Sequence, residues 1–251
     1  VREVLSYEPP RVDFQPEVVE RTDCGDYIRE RVLISTTPWF RIPAYVLIPK
    51  GLKEAAPAIV DLHSHGGMFL FGKEKVIDFG VNHPSLVEYH KANYEGRPTA
   101  TQLVRRGYAV ITIDAFPFGE RRVMLDEDAK YGWERSKYSV EDLKYLNGKC
   151  RAKESTIVKS LDYAGVTWPG IVAWDDMRTV DYLVSRPEVD PKRIGCVGVS
   201  LGGNALLRWA EEAGASASRT VAALAAARRR EPQLIISDIE MPGQTGLELI
   251  R

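Results

Sequence analysis

The stretch Arg193-Ile194-Gly195-Cys196-Val197-Gly198-Val199-Ser200-Leu201-Gly202-Gly203 decides the fold. Its first seven residues make a short apolar run, preceded by Pro187 and Pro191, and read as a buried strand. The run passes straight into a G-x-S-x-G pattern, and Leu201–Ala213 reads as a helix. A serine on so sharp a strand-to-helix turn takes strained backbone angles, so its neighbours must be small. Such a turn aims the hydroxyl away from the sheet and leaves the next N–H, that of Leu201, available to an oxyanion. The helix N-terminus adds a partial positive charge. Ser200 is therefore the candidate nucleophile. The plainer reading of the same residues is a glycine-rich turn that packs a helix on a strand.

Earlier segments supply the remaining sheet. Ala58–His63 (A-I-V-D-L-H) reads as a buried strand ending in the polar turn Ser64-His65-Gly66-Gly67. An oxyanion hole of this design takes its second N–H from the loop after an earlier strand, which nominates the backbone of His65 or Gly66. The competing reading is a polar turn whose histidines bond locally. Thr99–Gly107 reads as a helix stopped by Gly107, and Tyr108–Asp114 as the next strand. Tyr27–Ser35 and Ile42–Ile48 read as paired strands, a hairpin at a sheet edge. Ile171–Val184 carries Trp174, Met177, Val180 and Val184 at helical spacing. Strand and helix patterns alternate, so the expected class is α/β: a mostly parallel sheet with helices on both faces. Between them, Phe116–Gly170 is long, charged and aromatic, which suits a lid, a binding loop or a small helical insertion.

Composition narrows the function. The 251 residues are 44% hydrophobic and 27% charged, ordinary for a globular chain and enough for one large domain. Lys plus Arg (34) nearly cancels Asp plus Glu (35), so no global field points to nucleic acid or an anionic membrane surface. Apolar runs are far too short to span a bilayer. Cys24, Cys150 and Cys196 offer neither a paired framework nor metal-ligand spacing, which suggests a reducing, cytoplasmic setting.

Taken in order, D-L-H-S-H-G-G, I-D-A-F-P-F-G-E-R, W-D-D-M-R-T-V-D-Y-L-V-S-R-P-E-V-D-P-K-R-I-G and G-V-S-L-G-G resemble the α/β-hydrolase superfamily. The branch they look most like is that of the dienelactone-hydrolase and acetyl-xylan-esterase-like enzymes, over about residues 25–203. The resemblance implies attack on a small carboxylic ester through a serine acyl intermediate, with Ser200 as nucleophile and no metal or organic cofactor. The elbow S-L-G-G-N resembles a different branch of the superfamily, so the substrate stays open.

Nucleophilic serine needs a base, and in α/β hydrolases the order is Ser, then Asp or Glu, then His. All four histidines here (His63, His65, His83, His90) precede Ser200. His63 and His65 lie nearest the elbow and are the candidates for a substitute base, with no carboxylate evident to orient either. Asp114 and Glu120 read as cap or ion-pair residues rather than triad acids. Residues 231–249 (E-P-Q-L-I-I-S-D-I-E-M-P-G-Q-T-G-L-E-L) resemble the middle of a response-regulator receiver domain, with Asp238 matching the phospho-acceptor. Receiver chemistry needs Mg²⁺ held by acids of an earlier strand and a later lysine, and this stretch brings neither. The expectation is a hydrolase-like unit at 1–213, lacking its last strands and carrying a lid-like insertion at 115–170. It is joined near 214–220 to a receiver-like fragment at 214–251 that packs on or extends the sheet. The functional expectation is a carboxylic ester hydrolase scaffold impaired by the missing histidine. The alternative is a non-catalytic chimeric or signalling module that uses the Asp238 segment.

Overall fold

Ile42, Ala44, Val46 and Ile48 alternate with Tyr45 and Leu47 along one strand, and the two sets enter opposite cores. That period of two sets the architecture. A computed structural model describes residues 5–131, 134–202, 235–237, 240–241 and 244–245. Three strands open the chain: β1 (Glu17–Asp23), β2 (Tyr27–Thr37) and β3 (Phe40–Pro49). Then come β4 (Ala56–Leu62), the helices α1 (Pro84–Tyr94) and α2 (Thr99–Val104), and β5 (Ala109–Ile113). The insertion carries α3 (Asp128–Tyr131) and α4 (Val140–Tyr163); α5 (Trp168–Val184), β6 (Val189–Gly198) and β7 (Ile235–Ser237) follow. Two short strands, β8 (Glu240–Met241) and β9 (Gln244–Thr245), pair with each other.

The seven-stranded sheet runs β1-β2-β3-β5-β4-β6-β7. Its first half is an antiparallel meander, and β3 pairs antiparallel with β5. From β5 through β4 and β6 to β7 the pairing is parallel. Helices cover both faces. Val32, Ile34, Val46, Val60 and Ile111 meet Tyr182 and Leu183 of α5 on one side. On the other side Leu47, Ile59 and Val110 meet Tyr94 of α1 and Leu103 of α2. Each of these fully buried side chains contributes roughly 1.5–3 kcal/mol of apolar transfer. The α/β class read from the sequence is the one observed, with the parallel character concentrated in its second half.

Differences from the sequence reading have local causes. The hairpin is not at the edge, because β1 lies outside it. E-V-V-E-R-T-D is exposed at nearly every position, so no apolar face announced that strand. The α1 helix also went unread; His83 caps it through its ring, which accepts the Ser85 N–H at 3.1 Å, and Pro84 opens it. The longest element of the 116–170 connection is the 24-residue α4, begun by a capping box in which Ser139 and Asp142 bond reciprocally. β6 begins at Val189 rather than Arg193, and the helix after Ser200 is described only at Leu201–Gly202. The rest of that helix, Ala215–Arg230, the join near 214–220 and Asp238 lie outside the described residues. Of Gln233–Asp238, Ile235–Ser237 is described, and it pairs with Cys196–Gly198. Among the described residues no helix is long and apolar enough to cross a membrane.

Candidate active site

β4 and β6 are parallel neighbours with Leu62 opposite Gly198, so the loops beginning at His63 and Val199 leave the sheet side by side. β5 flanks β4 on its other side. Ligand sites in open parallel sheets form outside such carboxyl ends.

The elbow is built by its glycines. Ser200 has φ +56°, a left-handed conformation that a side-chain-bearing residue rarely adopts. A Cβ on Gly202 would lie 2.1 Å from the Leu62 carbonyl oxygen, and one on Gly198 would lie 2.6 Å from the Gly202 carbonyl carbon. The turn is therefore pressed onto the end of β4, where only hydrogen fits at both flanks. Gly202 N–H closes it on the Val199 carbonyl at 3.1 Å, and Ser200 is left exposed. Among the described residues, no acceptor meets the N–H of Leu201, His65 or Gly66.

The facing loop is held at each residue. His63 is buried; its Nδ1–H donates to Ser64 O (3.0 Å) and its Nε2 accepts from the Ala115 N–H (3.0 Å). Burial, helped by Lys75, pushes its pKa well below the ordinary imidazole value. Ser64 Oγ bonds the hydroxyls of Tyr89 (2.7 Å) and Tyr94 (2.9 Å). His65 Nδ1 accepts from the Gly67 N–H (3.0 Å) and Nε2–H donates to Glu154 of α4 (2.7 Å). The sequence reading found no carboxylate for either histidine, and Glu154 corrects it. The 89 residues between His65 and Glu154 hid that pair. Both ring nitrogens of His63 and of His65 are thus engaged, and neither imidazole has a lone pair left for the Ser200 proton. Gly66 has φ +52°, and a Cβ there would lie 1.9 Å from the Tyr89 hydroxyl.

Below this loop lies a charge cluster that sequence reasoning missed. Lys73, Glu74 and Lys75 occupy a 3₁₀ turn and are all buried, although three consecutive charges read as surface. Carboxylate oxygens of Glu74, Asp114 and Glu120 lie within 4.8 Å of one another, close enough to hold a cation. Lys73 Nζ already fills that role, at 2.7 Å from Asp114, 2.7 Å from Glu120 and 3.3 Å from Glu74. Burial opposes the Lys73 charge, but the three carboxylates outweigh it and hold its pKa above the ordinary lysine value. Asp114 and Glu120 are thus ion-pair residues, as their positions suggested. Lys75 makes no such pair among the described residues; burial lowers its pKa to about 7. Beside the Gly66 turn, between α1 and α4, opens a cavity of about 530 Å³ lined by Met68, Tyr89, Leu143, Asn147 and Arg151.

No protein-family model matches the chain. YtaP of Bacillus subtilis (strain 168), which carries the name of a hydrolase, is 29% identical over 202 residues, 80% of this chain and 54% of YtaP. A Bacteroides fragilis crystal structure named as an acetyl xylan esterase superposes with TM-score 0.59 at 20% identity, covering 83% of this chain and 47% of that one. A glucuronoyl esterase from Solibacter usitatus gives TM-score 0.50 at 17% identity, over 83% and 52% of the two chains. The chain spans about half the length of these relatives. Sheet order, elbow and structural neighbours agree that the chain has the α/β-hydrolase fold.

Proposed function

We infer that the chain is a serine hydrolase scaffold for carboxylic esters. Ser200 Oγ attacks the ester carbonyl, the N–H of Leu201 and of His65 or Gly66 receive the oxyanion, the alcohol leaves, and water hydrolyses the acyl-serine. The observation that carries this reading is the positive φ of Ser200 between two glycines that leave no room for Cβ, at the end of β6 beside the β4 loop. The esterase and hydrolase names of the relatives agree with it. The cavity beside Gly66, walled by α4 of the insertion, is the pocket for the acyl or alcohol group, so the 115–170 segment acts as the lid. Such chemistry needs no metal and no organic cofactor. We assign residues 1–213 to the hydrolase-like unit and 214–251 to the receiver-like fragment; the pairing of Ile235–Ser237 with Cys196–Gly198 supports its placement on the sheet.

Proton transfer is the weak part of the scaffold. His83 Nδ1 and Nε2 are spent on Ser85 and Tyr138, and His90 Nε2–H donates to Glu74 O. His63, His65 and His83 thus have both ring nitrogens committed, and we assign none of the four imidazoles to Ser200. General base assistance is worth about 10²–10⁴-fold, so acylation is slow and favours activated acyl and phosphonyl donors. A serine-directed fluorophosphonate tests this reading: wild-type protein takes one label and Ser200→Ala takes none. Folded wild-type protein that stays unlabelled contradicts it. Acetyl phosphate with Mg²⁺ leaves the intact mass unchanged; modification of Asp238 would instead favour the signalling alternative.

A further inference from the structure

A lysine buried without a carboxylate partner is costly, since a charge taken out of water needs compensation. Lys75 is such a residue: fully buried, with its ammonium donating to two backbone carbonyls, Ser64 O at 2.7 Å and His65 O at 3.0 Å. Those carbonyls belong to particular peptides. Ser64 C=O shares its peptide plane with the N–H of His65, and His65 C=O shares its plane with the N–H of Gly66. In a trans peptide the C=O and N–H point in opposite directions. A cation gripping both carbonyls from below therefore turns both N–H groups upward, on the side away from itself.

We propose that Lys75 is a positioning residue of the oxyanion site, its ammonium clamping the Ser64 and His65 carbonyls so that the N–H groups of His65 and Gly66 face the Ser200 adduct. The proposal rests on the Ser200 reading above. The same contact polarises the two amides, because a hydrogen bond to a peptide carbonyl strengthens the donor at its other end. The clamp has fixed surroundings. Lys75 N–H is anchored on Gly72 O at 3.0 Å, and the ammonium lies 4.3 Å from the centre of the Phe118 ring and 5.6 Å from that of Tyr89. Two weaker supports share the load: His63 Nδ1–H also donates to Ser64 O, and Met68 N–H reaches His65 O at 3.3 Å. The charged and titratable groups around Lys75 are Glu74 and Lys73 of its own turn, Asp114 after β5, His63 and His65 after β4, and Tyr89 of α1. Burial, with Lys75 beside it, holds the His63 pKa well below the ordinary imidazole value, apart from the Lys75 titration near pH 7.

The test follows Ser200 phosphonylation in wild-type protein and in Lys75→Met, which keeps the length of the side chain and removes its donors. The oxyanion exists only in the transition state, so the variant keeps the wild-type constant for reversible inhibitor binding while its bond-forming rate falls. The expected drop is about 10- to 100-fold, short of the ~10²–10³ lost when an oxyanion donor itself is removed. A loop that had merely loosened would weaken binding as well, and that result overturns the proposal. So does a Lys75→Met variant that reacts at the wild-type rate, which leaves the Ser200 reading standing. Wild-type protein that takes no label overturns the Ser200 reading and the clamp with it. A second measurement needs no variant: the His65 and Gly66 amide signals of ¹⁵N-labelled protein move together with the Lys75 side-chain ¹⁵Nζ signal as pH is raised. Amide signals indifferent to that titration overturn the clamp, even if Lys75→Met fails to fold.

Discussion

Asp61 sits in β4 with its carboxyl buried, and Thr99 Oγ1 donates to it at 2.5 Å. Burial outweighs that hydrogen bond and raises the pKa from 3.8 to about 7. Between those values the folded protein keeps a proton that the unfolded chain has released, so stability falls as pH rises through the window and levels above it. Asp61→Asn keeps the acceptor for Thr99 and removes the titration. At about 1.4 kcal/mol per pKa unit, the variant gains about 3 kcal/mol on wild type between about pH 5 and about pH 8. Urea unfolding at the two pH values measures it; parallel changes in the two proteins would contradict the assignment. This residue marks what one sequence conceals. The sharp turn at Ser200 was legible because G-x-S-x-G carries its own backbone requirement. Asp61, Lys73 and Lys75 were not, because a charged letter reads as surface until the fold supplies a counter-charge or a carbonyl.

The elbow is the element on which the proposed chemistry depends, and its strain is separable from its hydroxyl. Ser200→Gly and Ser200→Ala both remove the hydroxyl, but only glycine relieves the +56° φ. Chemical denaturation should find Ser200→Gly the more stable by about 1 kcal/mol, and equal stabilities would contradict the strain. Gly202→Ala tests the contact beneath. Its methyl would lie 2.1 Å from the Leu62 carbonyl oxygen, so the turn must lift off β4. The expected cost is about 2–4 kcal/mol together with loss of Ser200 labelling. The strands around the elbow were legible for the same physical reason that they are buried: Ala58–His63 and Tyr108–Asp114 are apolar runs with abrupt polar ends. β1 was not legible, since a mostly exposed edge strand needs no apolar face. α1 was missed because its apolar residues make only a weak stripe, and a histidine is an uncommon cap.

Over the whole molecule, Lys73 joins parts distant in sequence. It binds Asp114 after β5, Glu74 in its own turn and Glu120 of the insertion, while Arg31 of β2 reaches Glu120 at 2.5 Å and Arg135 reaches Glu74 at 2.8 Å. Lys73 and its carboxylates thus link β2, the 3₁₀ turn after β4, the end of β5 and the insertion. Lys73→Met leaves three carboxylates facing one another, and breaking such a buried network costs about 3–5 kcal/mol. A calorimetric melt shows the loss; an unchanged melting temperature would mean that the network contributes nothing to the fold. The α/β class was legible at this scale because strand and helix periods alternate along the chain. The ion network was not, because its members lie tens of residues apart and meet only when the sheet order places β5 beside β4 and β3.

Ser200 and two backbone N–H groups, one from the elbow and one from the loop after β4, are proposed to form a single oxyanion site. A crystal structure of the fluorophosphonate adduct tests it most directly. The expected result is phosphorus bonded to Ser200 Oγ, with the phosphoryl oxygen about 2.7–3.1 Å from the nitrogen of Leu201 and from that of His65 or Gly66. An adduct on another residue, or a phosphoryl oxygen turned to solvent away from both loops, would contradict it.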